Sequence, residues 1–312
     1  MRILFIFLDG IGLGAPDQQY NPFAVDVWPQ LRRLGGGHAW TAAMPFLSDP
    51  NHVVRHVDAN LGVEGLPQSG TGQATLFTGI NCAELAGRHY GPYPHSKTRA
   101  AIAEHNIFSR VKALGVPKPL PVTFTNAYPP RFFELVQRRD RWSVTTRCCL
   151  DAGVRIRTHQ DVVQGSGLTA DLTARGWQQF TEDPVPVITE REAGLRYVTI
   201  SKGYVFSLFE YFLSDKAGHS QSMEKATEVL HALDQFFDGI LASLDISRDL
   251  LIITSDHGNL EDLRVKTHTR NSVPFIAWGY NAHAFTDVLS IQDITPRLEA
   301  ILKESLVKNV HG

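Results

Sequence analysis

Three apolar stretches lie far apart in the chain and dominate its pattern of hydrophobic and polar positions. They cover residues 3–8 (ILFIFL), 206–213 (FSLFEYFL) and 250–254 (LLIIT). Short apolar runs of this kind are typical of strands that are buried on both faces, as in a parallel sheet flanked by helices. The pattern therefore predicts an α/β fold with a mostly parallel central sheet.

Side chains that can bind metals follow the first and the third of these strands. Asp9 comes directly after the first run, and Asp256 and His257 come shortly after the third. The carboxyl ends of parallel strands meet at one edge of a sheet, where open α/β folds bind their ligands. A carboxylate and an imidazole at that edge suggest a divalent metal. The alternative for each residue is a simple cap of a turn or of the following helix.

The second apolar strand is followed by Asp215 and His219. Their spacing of four residues places both side chains on one face of a helical turn, so that they can share one ion. The alternative is a solvated acid and a capping histidine. A further histidine, His268, follows the third strand within the segment THTRNSVPF.

Residues 65–79 (GLPQSGTGQATLFTG) have the pattern of a turn followed by the start of a helix. Small residues at such a start leave backbone N–H groups, here those of residues 70–72, open to an anion such as phosphate. Ser69 and Thr71 are the hydroxyls at this position, and a divalent cation can activate a hydroxyl by lowering its pKa. The alternative is an ordinary helix cap.

Residue spacing predicts three further elements. Residues 107–114 are expected to form a helix, and residues 122–129 (VTFTNAYP) another buried strand. The apolar positions of residues 226–244 recur at helical spacing, which predicts an amphipathic helix packed on the sheet.

The stretch between the two halves of the chain has a mixed pattern. Residues 131–196 are charged in one part and Gly-rich in another, and they predict a small lid or cap inserted into a core formed by residues 1–130 and 197–312. The alternative is an insertion that begins near Gly91 and reaches about 110 residues, a length at which a small cap becomes possible.

Taken together, the motifs resemble those of the alkaline phosphatase superfamily, and most closely its branch of cofactor-independent phosphoglycerate mutases and phosphopentomutases. They are LDGIG, SGTGQATLFTG, YVFSLFEYFLSDKAGHS, LLIITSDHGNLED and HTRNSVPF. The resemblance covers residues 1–90 and 204–312. It implies an alkaline-phosphatase-like three-layer α/β sandwich with a central, mostly parallel sheet and a small inserted lid.

The same resemblance implies two divalent metal ions. One ion would be held by Asp9, Ser69, Asp256 and His257, and the other by Asp215, His219 and His268. A mixture of carboxylate, imidazole and hydroxyl ligands suits Mn²⁺ or Zn²⁺, whereas Mg²⁺ prefers oxygen ligands alone.

The family pattern selects Ser69 as the nucleophile and leaves Thr71 in reserve. Related phosphodiesterases carry the nucleophile six positions before the first Thr of TLxTG, which is Thr75 here. The mutase pattern S-x-x-G-H aligns Ser69 in the same way, although this chain has Gln73 where the mutases have His. The sulfatase signature C/S-x-P-x-R does not fit, because Thr71 and Gln73 occupy the positions of its Pro and Arg.

Such a centre implies phosphoryl transfer on a small phosphoester through a covalent phosphoserine, as in a phosphatase or a phosphomutase. A phosphodiesterase on the same centre and a non-catalytic metal-binding protein are the alternatives. Asn126, Lys97, Arg99 and Lys202 are candidate substrate contacts, and the alternative for each is an ordinary surface position.

The composition of the chain argues against several classes of protein. The 312 residues carry a formal net charge of −2, which gives no general attraction to nucleic acid or to an anionic membrane. The sequence contains no apolar run of membrane-spanning length, and its three cysteines do not make a disulfide framework. We therefore expect a cytoplasmic enzyme whose partner is a small phosphorylated molecule. The sequence leaves its oligomeric state open.

Overall fold

The apolar runs form the middle of a seven-stranded sheet in the computed structural model, which describes residues 1–25, 27–116, 121–139, 141–179 and 184–310. The strands in these ranges are β1 (Arg2–Leu8), β2 (Leu47–Asp49), β3 (His52–Val57), β4 (Val122–Phe124), β5 (Ala127–Tyr128), β6 (Arg157–Thr158), β7 (Phe206–Tyr211), β8 (Asp249–Thr254) and β9 (Val273–Gly279). The α-helices are α1 (Pro29–Leu34), α2 (Ser69–Thr78), α3 (Cys82–Ala86), α4 (Arg99–His105), α5 (Ile107–Ala113), α6 (Pro130–Arg139), α7 (Val144–Asp151), α8 (His159–Val163), α9 (Glu190–Ser201), α10 (Leu213–Ser220), α11 (Met223–Ser243) and α12 (Ile291–Val310). Short 3₁₀ helices span Pro22–Val25, Ser96–Thr98, Arg175–Gln179 and Ala282–Phe285.

The main sheet has the strand order β2-β3-β9-β8-β1-β7-β4. Its larger part is parallel, because β1 pairs in parallel with both β7 and β8, and β4 pairs in parallel with β7. The other part is antiparallel: β9 runs against β8 and β3, and β2 runs against β3. The three apolar runs are therefore three adjacent parallel strands, which confirms the predicted mostly parallel sheet.

Strand β1 shows why these runs lack polar alternation. Ile3, Phe5 and Phe7 face a helical layer that contains α2, α5, α7 and α12. Leu4 and Ile6 face the opposite layer, which contains α9 and α11, and all five side chains are at most 1% exposed. Each face of the sheet thus buries its own hydrophobic core, and the architecture is a three-layer α/β sandwich.

Two helices that the sequence predicts are present with nearly the expected bounds. Residues 107–114 form α5 except for the last residue, and residues 226–244 lie in α11 except for the last residue. The hydroxyl of Ser222 caps α11 by accepting a hydrogen bond from Lys225 N at 3.3 Å. None of the helices in the described ranges combines the length and the apolar character that crossing a membrane requires.

The strand predicted over residues 122–129 is shorter than expected. Only Val122–Phe124 join the main sheet, whereas Ala127–Tyr128 pair with β6 in a separate two-stranded sheet. Between them, Asn126 Nδ2 donates to Glu210 O at 2.7 Å, and Glu210 N donates to Asn126 Oδ1 at 2.9 Å. The side-chain amide replaces the backbone ladder at this point, so the chain can leave the sheet without losing hydrogen bonds.

The interval predicted as a lid, residues 131–196, contributes to both helical layers. Val144 and Cys148 of α7 are buried in the first core, and Ala193 of α9 is buried in the second. Gly194 packs directly on α11, where a Cβ would overlap the carbonyl oxygen of Phe236. The predicted boundaries of the insertion therefore do not coincide with the limits of the core.

A separate small apolar cluster lies beside the main cores. It consists of Ala127, Val162, Ala174, Trp177 and Val185. Four of these residues belong to the segment between α7 and α9. We propose that this shorter segment, rather than the whole interval, forms the cap.

Candidate metal centre

The strand order brings the predicted ligands to one edge of the sheet. Asp9 follows β1, and the neighbouring strands β8 and β7 lead into Asp256 and Asp215 at the same edge. Gly10 has a φ of +71°, and a Cβ there would lie 2.6 Å from Asp215 Oδ1. Because only glycine tolerates both the dihedral angle and this close approach, the end of β1 and the start of α10 meet directly.

The first group of side chains consists of Ser69, Asp9, Asp256 and His257. Ser69 Oγ lies 3.0 Å from His257 Nε2. The same nitrogen lies 3.5 Å from Asp9 Oδ1 and 3.5 Å from Asp256 Oδ2. All four residues are buried. Their ligand-type atoms therefore converge on one point at the carboxyl edge of the sheet.

The second group consists of Asp215, His219 and His268. His219 Nε2 lies 3.2 Å from Asp215 Oδ2, and His268 Nε2 lies 3.5 Å from Asp215 Oδ1. The two Nε2 atoms are 3.3 Å apart. Asp215 and His219 both lie on α10, on one helical face, as their spacing predicts.

Backbone carbonyl groups orient both histidines of the second group. His219 Nδ1 lies 2.7 Å from Lys266 O, and His268 Nδ1 lies 2.7 Å from Pro67 O. A carbonyl oxygen can only accept a hydrogen bond, so each Nδ1 carries the proton and each Nε2 lone pair faces the group. This tautomer is the one that a histidine needs in order to bind a metal through Nε2.

The two groups adjoin each other. The rings of His257 and His268 stack with their centroids 3.7 Å apart and 17° between their planes. Ligand atoms of Asp9, Asp215 and His257 also lie within 4.8 Å of one another. Such a short separation suits two cations that act on one substrate group.

The carboxylates of the first group are buried with too few hydrogen-bond donors. Within the described ranges, Asp9 Oδ1 and Asp256 Oδ2 have no hydrogen-bond partner. Burial and the negative charge of Asp256 raise the pKa of Asp9 well above its usual value. Burial and the charge of Asp215 have the same effect on the pKa of Asp256. Buried carboxylates without partners are costly unless a cation compensates them, so the residues present fit divalent metal ions.

Burial favours the neutral form of two imidazoles of the centre, those of His257 and His268. It lowers the pKa of His257 well below the usual value, and the neighbouring His268 lowers this pKa further. Burial also lowers the pKa of His268, although the carbonyl group of Pro67 opposes that shift. Neutral imidazole is the form that binds a metal.

Glu261 holds the loops of the centre together with a single buried carboxylate. Its Oε2 accepts hydrogen bonds from Gly12 N and from Asn259 N, each at 2.8 Å. Its Oε1 accepts from the Thr269 hydroxyl and from Asn271 Nδ2, the latter at 3.0 Å. These donors stand in the loop that follows β1 and at two places in the loop between β8 and β9, and each of the two loops carries at least one predicted ligand.

Sequence reasoning missed Glu261. Two glycines are the trace that this contact leaves in the sequence, since a Cβ at Gly12 or at Gly258 would overlap the Glu261 carboxylate. A glycine beside a buried acid marks a close approach of backbone to side chain, but the pairing becomes visible only in three dimensions. Gly12 and Glu261 are far apart in the sequence.

Gln73 faces the first group of ligands. Its Nε2 donates to Asp9 Oδ2 at 3.2 Å, and the residue is buried. Asp9 Oδ1 is thereby left facing His257. The residue at which this chain departs from the mutase pattern therefore positions a predicted metal ligand.

We expect Gln73→Leu to weaken metal binding by about 10- to 100-fold, the usual effect of losing a hydrogen-bond partner of a ligand. The substitution leaves Asp9 without its side-chain donor but keeps a residue of similar size. Calorimetric titration of EDTA-treated protein with Mn²⁺ measures the change. An unchanged dissociation constant would show that Gln73 does not orient Asp9.

The two candidate nucleophiles have different surroundings. The Thr71 hydroxyl accepts a hydrogen bond from Tyr90 N at 3.1 Å, and it lies 3.3 Å from Gln68 O and 3.4 Å from Tyr90 O. It is therefore engaged in the backbone of the turn. Ser69 is the hydroxyl that faces the ligand groups.

The backbone N–H groups at the start of α2 are partly occupied. Thr71 N donates to Tyr90 O at 2.9 Å, and Gly72 N donates to Gln68 O at 2.8 Å. Over the described ranges, the N–H groups of Ser69 and Gly70 have no acceptor. Of the N–H groups expected to bind an anion at residues 70–72, only that of Gly70 is therefore available, and the N–H of Ser69 adjoins it.

The predicted substrate contacts are scattered. Asn126 is 1% exposed and both of its polar atoms bind the backbone of Glu210, so a substrate contact there is incompatible with the structure. Lys202 follows α9 and precedes β7, which places it at the amino edge of the sheet, opposite the ligands. Lys97 and Arg99 are exposed at the start of α4.

Glu210 is a buried carboxyl group near the end of β7. Its Oε2 has no hydrogen-bond partner within the described part of the chain. Burial raises the pKa of Glu210 from 4.5 to about 7, and the nearby Thr145 hydroxyl opposes this only in part. Folding therefore favours the protonated form of this side chain. The associated stability is fully present below pH 4.5 and is lost as the pH rises through about 7.

Glu210→Gln is expected to stabilise the protein at pH 8 by up to about 3 kcal/mol relative to the wild type, and much less at pH 4. The amide stays neutral at every pH, so the variant avoids burying a charge. Urea unfolding of EDTA-treated wild type and variant between pH 4 and pH 8 measures the difference. Parallel stability curves over this range would contradict the assignment.

Sequence comparison with known families covers five of the seven predicted ligands. A family model described as Metalloenzyme superfamily matches residues 178–304, which contain Asp215, His219, Asp256, His257 and His268. Over these residues the chain is similar to that family. The similarity agrees with the divalent metal ions that the donor sets described above would fit.

A curated relative and two solved structures extend the comparison. The 2,3-bisphosphoglycerate-independent phosphoglycerate mutase of Antithamnion sp. is 30% identical over 118 residues, which cover 35% of this chain and 23% of the relative. The structure of PH0037 protein from Pyrococcus horikoshii has a TM-score of 0.56 at 13% identity and covers 97% of both chains. The cold-active alkaline phosphatase of a psychrophilic Shewanella sp. has a TM-score of 0.51 at 13% identity, covering 97% of this chain and 100% of that one.

The structural and the sequence similarities support different conclusions. The structural neighbours show an alkaline-phosphatase-like fold, which confirms the predicted fold class. The chain spans less than a quarter of the length of the Antithamnion mutase that it matches. The shared stretch therefore corresponds to only part of the mutase.

Proposed function

We propose that this chain is a metal-dependent phosphoryl-transfer enzyme that acts on a small phosphorylated molecule, with Ser69 as its nucleophile. The observation that carries the proposal is the position of Ser69 Oγ, 3.0 Å from His257 Nε2 at the start of α2. Carboxylates and imidazoles surround this hydroxyl, and the N–H groups of Ser69 and Gly70, which have no acceptor among the described residues, adjoin it. The phosphoglycerate mutase relatives support the same class of reaction.

Two divalent ions fit the donor sets of the centre. One set is Asp9, Ser69, Asp256 and His257, and the other is Asp215, His219 and His268. When bound, such ions lower the pKa of a hydroxyl group and compensate the negative charge of a phosphate. We propose Mn²⁺ or Zn²⁺, because the sets combine carboxylate with imidazole.

The residues of the chain orient the reacting groups. His257 Nε2 fixes the direction of the Ser69 side chain, and the N–H groups of Ser69 and Gly70 are available for phosphate oxygens at the positive end of α2. Ser69 Oγ gives up its proton and attacks phosphorus in line, the ester P–O bond breaks, and the leaving oxygen takes up a proton, so that one proton is released and one is consumed. Water then accepts the phosphoryl group from Ser69 in a phosphatase, whereas a second substrate hydroxyl accepts it in a mutase.

The order of reactivity toward two artificial esters tests the proposal. Manganese-loaded protein is expected to cleave p-nitrophenyl phosphate at least about tenfold faster than bis(p-nitrophenyl) phosphate, since paired cations complement the double charge of a monoester. Release of p-nitrophenol measures both rates. The reverse order would favour the phosphodiesterase alternative, and inertness toward both esters with metal bound would favour a non-catalytic metalloprotein.

We also propose a cytoplasmic location. Cys82, Cys148 and Cys149 are free and buried, which is typical of proteins from reducing compartments. Burial raises the pKa of Cys82 to about 11, so this thiol is unreactive at neutral pH.

A further inference from the structure

A cavity of about 390 Å³ lies beside the nucleophile and outside the two ligand groups. Three aromatic residues and three arginines dominate its lining: Tyr90, Tyr93, Trp142, Arg99, Arg141 and Arg147. The cavity is therefore both cationic and partly apolar. It lies outside the seven predicted metal ligands.

The segment from Tyr90 to Pro94 connects this cavity to Ser69. The segment lines the cavity, and it also packs on the start of α2. Thr71 N donates to Tyr90 O at 2.9 Å, and a Cβ at Gly91 would lie 3.3 Å from Ser69 N. One layer of main chain thus separates the cavity from the start of α2, where Ser69 lies.

The three arginines differ in how their charges are compensated. Arg147 pairs with Asp151, with Nε 3.0 Å from Oδ2 and Nη2 2.8 Å from Oδ1. The Arg141 guanidinium lies over the ring of Tyr93, 5.8 Å from its centroid. In the part of the chain that the structure describes, no carboxylate pairs with Arg99 or Arg141. Among the described residues, the two positive charges therefore lack a carboxylate to compensate them.

We propose that Arg99 and Arg141 bind a second anionic group of the substrate, a carboxylate or a phosphate, while the phosphate to be transferred lies at Ser69. This inference rests on the proposed phosphoryl-transfer function and defines its substrate class as small phosphoesters with a second anion. Guanidinium groups suit this role because they bind carboxylate and phosphate through paired, charge-assisted hydrogen bonds.

Placement distinguishes these arginines from ordinary surface charges. Exposed arginines are common on proteins, but Arg99 of α4 and Arg141 of the segment between α6 and α7 line the same concave site. Tyr93 and Trp142 line it with them. Aromatic walls reduce the contact of a bound anion with water, which strengthens its attraction to the guanidinium groups.

Non-cleavable phosphonates test the subsite without relying on turnover. Calorimetry with manganese-loaded wild type would compare propylphosphonate with 3-phosphonopropionate and propane-1,3-diphosphonate, which add a carboxylate and a second phosphonate. We expect at least about tenfold tighter binding from the added anion, the effect of one charge-assisted hydrogen bond. The larger gain identifies the preferred group.

Substitutions test whether Arg99 and Arg141 cause the tighter binding of ligands with a second anion. R99Q/R141Q is expected to reduce the advantage of the added anion to less than about threefold, because the paired donors are lost. The matched control R248Q removes an exposed arginine that precedes β8 at the opposite edge of the sheet, and it should keep the full advantage. Equal or undetectable binding of the three phosphonates to wild type, or an advantage that survives in R99Q/R141Q, overturns the subsite. Turnover of p-nitrophenyl phosphate is measured separately, so a failure of the subsite is distinguishable from a failure of the proposed function.

Discussion

Ser69→Ala is expected to lower kcat for p-nitrophenyl phosphate by about 10³-fold or more, because it removes the atom that attacks phosphorus. The substitution deletes one oxygen from a site in which the other predicted ligands remain. We therefore expect the variant to retain bound metal at saturating Mn²⁺. Steady-state kinetics and metal analysis of the same protein preparation measure the two effects.

Thr71→Val is the matched control for this prediction. The Thr71 hydroxyl is tied to the backbone of Tyr90, so its loss should cost about 1–2 kcal/mol of stability. We expect kcat to stay within about tenfold of the wild type, since this hydroxyl does not face the ligands. If Thr71→Val were inactive and Ser69→Ala active, the nucleophile would be Thr71 and the orientation of the turn would have to change.

Glu261→Gln is expected to destabilise the protein by about 3–6 kcal/mol, which is the loss of two hydrogen bonds to a charged group. All four groups that bind Glu261 are donors, and an amide can accept on only one of its two sides. The amide nitrogen would face either two backbone N–H groups or two side-chain donors. Urea unfolding of EDTA-treated protein measures the change.

Metal affinity should fall together with stability in Glu261→Gln. The carboxylate positions the loops around the ligands, and loss of such support typically weakens metal binding by about 10- to 100-fold. The adjacent Asp262→Asn is the matched control, because Asp262 pairs with the exposed Arg264 and should contribute at most about 1 kcal/mol. Similar stability and metal affinity of the two variants would show that Glu261 does not hold the loops around the ligands.

The sequence predicts the middle of this fold well. Parallel strands buried on both faces need apolar residues at nearly every position, so β1 and β8 are visible without a structure. Ligand-type residues at the carboxyl ends of these strands must then lie at one edge of the sheet. For this reason Asp9 and Asp256 could be predicted to lie close together although they are far apart in the sequence. The spacing of Asp215 and His219 fixes one helical face in the same way.

Other features depend on contacts that no local pattern records. Residues 122–129 read as one strand, but Asn126 ends the pairing by binding the backbone of Glu210. The mixed pattern of residues 131–196 predicts a lid. In the structure, however, Cys148 is buried in the first core and Ala193 in the second. A short amphipathic helix on a core and one in a lid have the same sequence pattern, so this boundary required the fold.

Charged residues were the least predictable part of the candidate site. Lys202 and Arg99 look alike in the sequence, yet one lies at the amino edge of the sheet and the other lines the cavity beside the nucleophile. Their places depend on the path of the chain between the strands. Glu261 could not be distinguished from a surface acid for the same reason, although it is 0% exposed.

The most direct test of the central claim is anomalous diffraction from crystals of the wild-type protein soaked with Mn²⁺. Two strong peaks are expected, each within about 2.5 Å of its ligand atoms. The first should adjoin Ser69, Asp9, Asp256 and His257, and the second should adjoin Asp215, His219 and His268. Absence of both peaks from these positions at saturating Mn²⁺ would contradict the account.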